Sequence, residues 1–66
     1  MMYAYPFLVK EMNKHKMSAK DLAELLYVSP RVVYSRLNGS SEWRLSEIVK
    51  ICEHFEKTNV NELFLR

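Results

Sequence analysis

Apolar residues along this chain recur at steps of three and four, and nowhere alternate at steps of two over a useful length. That period belongs to amphipathic helices, so the fold class is all-α, a compact five-helix bundle. The first helix runs from about Pro6 to about His15 with Leu8, Val9 and Met12 inward, and Met17 plugs the core from the connection that follows. The second, Ser18–Leu26, turns Leu22, Ala23 and Leu26 inward; the third, Ser29–Asn38, does the same with Val33 and Leu37. A fourth, roughly Leu45 to Phe55, carries the stripe Leu45, Ile48, Ile51, Cys52 and Phe55. The last, Val60 to Leu65, adds Val60, Leu63 and Phe64.

The polar positions mark where these helices start and stop. Ser18 is a helix cap and Asp21, three residues on, its acidic capping-box partner. Tyr27-Val28 is a break, and Ser29-Pro30 a second start, since proline's missing N–H and fixed φ cost nothing in the first turn. Asn38-Gly39 ends the third helix with the residue types that tolerate a left-handed stop. Two helices crossing steeply need a small residue at closest approach; Ala23 supplies it, with Val33 placed to press against it. The stretch from about 18 to 39 is therefore a helix-turn-helix, an arrangement whose second helix enters the DNA major groove. Ser40-Ser41-Glu42 is a polar link, and Asn59 caps the final helix.

Composition narrows the picture. Sixty-six residues, 48% hydrophobic, make a single domain over 1–66 with an ordinary apolar fraction. No apolar run approaches the ~20 residues of a membrane span, and the start of the chain does not read as a secretory leader. The single cysteine, Cys52, forms no internal disulfide, fits a reducing cytoplasm and reads as a small core residue. Stability must then come from helix packing, oligomerisation or both. His15 and His54 read as surface residues on different helices. With no nucleophile–base arrangement, phosphate loop or ligand cluster, the expectation is a non-enzyme that uses no cofactor, metal or small-molecule substrate. Net charge is only +2, but residues 10–44 hold Lys10, Lys14, Lys16, Lys20, Arg31, Arg36 and Arg44 against four acids, while the rest holds three bases against four. The positive excess gathers around the helix-turn-helix, as a phosphate-facing surface requires.

Met17-Ser18, Leu22-Ala23, Val28-Ser29, Val33, Leu37-Asn38-Gly39, then Leu45, Ile48, Ile51, Phe55 and the run 59–64 together resemble the lambda-repressor/Cro-like, or XRE-type, helix-turn-helix family. The resemblance covers residues 7–64. It implies a five-helix DNA-binding domain of phage or bacterial type, binding a two-fold operator on double-stranded DNA as a homodimer, cytoplasmic and associated with the nucleoid. Two departures accompany it. The family usually places glycine where Tyr27 stands; tyrosine either bears a left-handed strain of about 1 kcal/mol or shifts the turn. Pro30 stands where many relatives have a base-reading glutamine, which leaves fewer polar readers and more reliance on DNA shape.

The resemblance places Arg31, Val32 and Ser35 at base edges. Arg31 suits guanine O6 and N7, Val32 packs on a thymine methyl or stays partly buried, and Ser35 is a permissive reader. Phosphate contacts fall to Ser18, Lys20, Ser29, Tyr34, Asn38, Ser41 and Arg44, beside the free N–H groups that open the second and third helices. Asn38 is equally a helix stop. Arg36 touches the DNA backbone or pairs with Glu24 or Glu42; Trp43 is a partly buried lid, a dimer contact or a sugar-phosphate contact. Val49, Phe64 and Leu65 look outward and would make a dimer seam. Two other readings share these residues. One is an excisionase or MerR-like winged helix, which needs a β-hairpin where the fourth helix falls. The other is a protein-interaction module, antitoxin-like or an anti-repressor, that keeps the fold without the DNA.

Overall fold

The computed structural model describes residues 3–66; the first two positions of the expected domain lie outside the described residues. Five helices follow in the order anticipated: α1 (Pro6–Lys14), α2 (Ala19–Leu26), α3 (Pro30–Leu37), α4 (Leu45–His54) and α5 (Asn61–Phe64), with no strand among the described residues. Proline opens both α1 and α3. Asn59 caps the last turn as expected, its Oδ1 accepting from the Asn61 N–H at 2.9 Å.

Each helix sends one large side chain to the centre. Leu8, Leu22, Val33, Ile51 and Leu63 are the largest fully buried residues, one each from α1 to α5. Removing any of them from water contributes about 1.5–3 kcal/mol, so the core is a five-way closure in which no helix is dispensable. The main packings are α2 on α3, α1 on α5 and α2 on α4. Ala23 is 2% exposed, the small residue that the α2–α3 crossing demands.

The chain ends meet beside the end of α3. The Ala4 N–H donates to the Leu37 carbonyl at 2.8 Å, and the Arg66 guanidinium donates twice to Tyr5 Oη, at 3.1 and 3.2 Å. Trp43, Tyr5 and Phe64 form an edge-to-face aromatic triad with centroids 5.6–6.2 Å apart. Trp43 is thus the lid on the core, buried rather than free for DNA. Phe64 does not look outward: the same triad holds it half-buried.

Two core expectations fail. Leu45 is 76% exposed, and Glu47 takes the inward place instead. Helical phase alone does not choose between them, since Leu45 lies about 120° round α4 from Ile51 but about 20° from Cys52; Glu47 is held inward by the Arg36 guanidinium, 2.7 Å from its Oε1. Val60 precedes the first residue of α5 and is also exposed. Cys52 sits in the core, where burial and the charge of Glu62 push its thiol above its ordinary pKa.

Candidate nucleic-acid interface

The N-terminus of α2 is built by a complete capping box. The Asp21 N–H donates to Ser18 Oγ at 3.1 Å, and the Ser18 N–H donates back to Asp21 Oδ2 at 3.0 Å. Hydrogen bonding to the Asp21 carboxyl from Ser18, from its main-chain N–H first and its side chain second, holds that carboxyl below its ordinary pKa. Ser29 caps α3 more loosely, accepting from the Val32 N–H at 3.4 Å. Between the two, Tyr27 adopts φ 58° and ψ 42°, the left-handed conformation that glycine would supply. Its strain is accepted and the turn is not shifted: the Val28 N–H still closes onto the Ala23 carbonyl at 3.0 Å. Lys50 Nζ sits 4.7 Å from the Tyr27 ring centroid, a cation–π contact that returns part of the cost.

With the turn in place, the faces of α3 follow from its phase. Val33 and Leu37 are buried. Arg31 lies on the opposite side, exposed, and forms no ion pair among the described residues. Tyr34 is exposed beside it, whereas Val32 and Ser35 are half-buried. Ser35 is partly covered because the α3–α4 turn folds over it: its carbonyl accepts from the Ser40 and Ser41 N–H groups at 3.0 and 3.2 Å. The Ser35 and Ser41 hydroxyls share a 2.7 Å hydrogen bond. Asn38 closes α3, and its Oδ1 accepts from the Ser40 N–H at 2.9 Å, so the side chain serves the helix stop. Gly39 has φ +87°, which favours glycine, and an added Cβ there would come 3.1 Å from Ala4 Cβ, a tight contact that Ala4 would have to yield to.

Lys20 is exposed in the first turn of α2, and Arg44 is exposed as the residue before α4. Lys20 and Arg31 within the motif, and Lys16 and Arg44 on either side of it, are cations that stand in solvent. Arg36 is not among them. It pairs with neither Glu24 nor Glu42; its Nε donates to Glu47 Oε1 at 2.7 Å and its Nη2 to Glu47 Oε2 at 3.3 Å. Helical period does not mark Glu47 as a member of this region, although an acid at the third position of α4 is itself a capping signal. Burial would raise its carboxyl pKa, but the bonds from Arg36 and from the Arg44 main chain outweigh that and hold it below the ordinary value. Among the described residues no group of three or more His, Cys, Asp or Glu could hold a metal ion, and no helix is long and apolar enough to cross a membrane.

Two short helices locked by a left-handed turn, the second presenting an unpaired arginine, define a helix-turn-helix DNA-binding domain. The model of the Cro/C1-type HTH DNA-binding domain family matches residues 8–64, nearly the whole chain, and the protein belongs to that family. No curated protein and no solved structure matches it. Membership makes the chain a DNA-binding regulator of double-stranded DNA.

Proposed function

We propose that the protein is a repressor that occupies a two-fold operator as a homodimer in the cytoplasm, at the nucleoid. The observation that carries this reading is the solvent-facing side of α3, where Arg31 stands exposed in the first turn after the Ser29 cap and forms no ion pair among the described residues. Arg31 is the principal base reader, with Val32 and Ser35 at its flanks; Ser35 must share its hydroxyl with Ser41. Ser18, Lys20, Ser29, Tyr34, Asn38, Ser41 and Arg44 take the phosphates around them. A dimer would place two copies of α3 roughly 34 Å apart, one helical turn of DNA. Val49 and Leu65, both about half exposed, are apolar residues available to its seam, with the exposed Leu45 and Val60 beside them in sequence.

Selecting bound sequences from random duplexes tests this reading, and repeating the selection with Arg31→Ala tests the residue. Loss of preference at one base position, worth about 1–3 kcal/mol, is expected. Uniform weakening across all sequences would reassign Arg31 to phosphate. A protein-interaction module is the second reading, favoured by the 86% exposure of Tyr27 on the side of α2 and α4. Affinity for DNA that does not fall with added salt would select it instead.

A further inference from the structure

We infer that Glu47 is a positioning residue for DNA recognition: its carboxylate, by gripping Arg36 and the start of α4 together, sets the angle at which α3 and its following turn are offered to DNA, and it removes Arg36 from DNA contact. The inference rests on the regulator reading above and goes beyond it. One carboxylate joins two pieces of chain. Its two oxygens take the Arg36 guanidinium at 2.7 and 3.3 Å, on the last turn of α3, and Oε1 also accepts the Arg44 N–H at 2.9 Å, at the entry to α4. The segment between, 38–43, is laced back onto α3 through Ser35 and carries Asn38 and Ser41. Freeing either end of this strut lets the turn and the last turn of α3 move together against the core.

Stability alone does not account for such a pair. The two side chains are 13% and 8% exposed. At that depth desolvation offsets most of the attraction, and well-packed apolar residues of similar volume hold a core as well or better. The distinctive contribution of a forked arginine–carboxylate pair is directional: it fixes two helices in one relative geometry. Arg36 also lies about 140° round α3 from Arg31, on the flank of the buried face, so it cannot reach the same groove. A basic residue in a recognition helix would ordinarily be counted among the DNA ligands; here the fold has spent it on alignment.

The test uses the whole chain, the duplex selected from a random pool and a scrambled duplex of equal length. Binding of wild type, Arg36→Met and Glu47→Gln is measured across a salt series, at a temperature where circular dichroism shows each to be folded. In Glu47→Gln the preference for the selected over the scrambled duplex falls about tenfold, equivalent to roughly 1.4 kcal/mol, while affinity for the scrambled duplex is retained. In Arg36→Met preference falls likewise, and the salt slope matches wild type. A slope shallower by about 0.9, one phosphate contact, would make Arg36 a DNA ligand and overturn the inference. Preference unchanged in a folded Glu47→Gln would overturn it too, leaving the pair a fold contact. Should the single variants fail to fold, the apolar pair Arg36→Met with Glu47→Leu keeps the core filled; it is expected to melt no lower than wild type yet lose preference, and retained preference sinks the claim. A wild type with no salt slope at all would reject the regulator reading itself, a result distinct from the others.

Discussion

At the scale of single residues, the structure concentrates cost and compensation at a few points. Tyr27 holds a left-handed conformation that tyrosine adopts at about 1 kcal/mol, and Lys50 over its ring offsets part of it. A β-branched residue there meets a steeper penalty and loses the ring, so Tyr27→Val should lower the melting temperature by about 4–8 °C per kcal/mol, or roughly 5–15 °C in all. An unchanged thermal melt would mean that the turn in solution is not left-handed. Three carboxylates give the pH response. Glu47 and Glu11 are each pushed up by burial but pulled further down by their partners, Arg36 for the first and His15 with Lys57 for the second; Asp21 is lowered by its Ser18 bonds. Folded pKa values below the unfolded ones mean that the unfolded chain binds more protons in acid. Stability is then fully present above about pH 5 and is lost as pH falls through the lowered folded values. Urea midpoints at pH 7, 4 and 3 should fall in that order, and Ser18→Ala should lessen, without abolishing, the Asp21 share of the decline, since the main-chain bond stays, while costing about 1 kcal/mol at neutral pH.

At the scale of helices, the α2–α3 crossing decides whether the recognition helix is presented. Ala23 is buried, 2% exposed, on α2, which packs on α3. Ala23→Leu should destabilise by about 1–3 kcal/mol through overpacking and weaken DNA binding further than the loss of folded fraction explains, because α3 must move off α2. Comparing the melting curve with duplex affinity at 10 °C checks this; equal losses in the two would confine the effect to stability. Much at this scale was legible in the chain. Ser18 with Asp21, Ser29-Pro30 and Asn38-Gly39 are local signals that act within three or four residues, and each produces the helix end it predicts. The stripe on α4 was legible only in part. Ile48, Ile51, Cys52 and Phe55 pack as the period demands, but Leu45 at the edge of that stripe was indistinguishable from its members by spacing alone.

At the scale of the molecule, the described residues close around a core to which each helix contributes one fully buried large side chain. A domain this small has little stability in reserve, so Ile51→Ala, at about 2–5 kcal/mol, should leave the protein largely unfolded at 37 °C by circular dichroism. A cooperative native melt surviving that change would mean that association with a second copy supplies the missing stability, and sedimentation across the micromolar range would then show it. The site followed the same division as the core. Arg31 was placed on the open face by the phase of α3 and is found there, exposed. Arg36 and Glu47, eleven positions apart, could not be matched from spacing, since the partner of a long side chain depends on how α4 returns to α3.

The chain by itself determined which segments are helical, where each begins and ends to within a residue or so, and most of each apolar face, Leu45 and Val60 excepted, because caps, turn residues and period act over one helical turn. Only the tertiary structure decided that Trp43 and Phe64 join Tyr5 beneath the paired chain ends, that Glu47 displaces Leu45 inward, and that one arginine of α3 is spent inside while another stands free. Those outcomes depend on the relative placement of helices distant in sequence, where a carboxylate can enter the core if a guanidinium arrives to meet it.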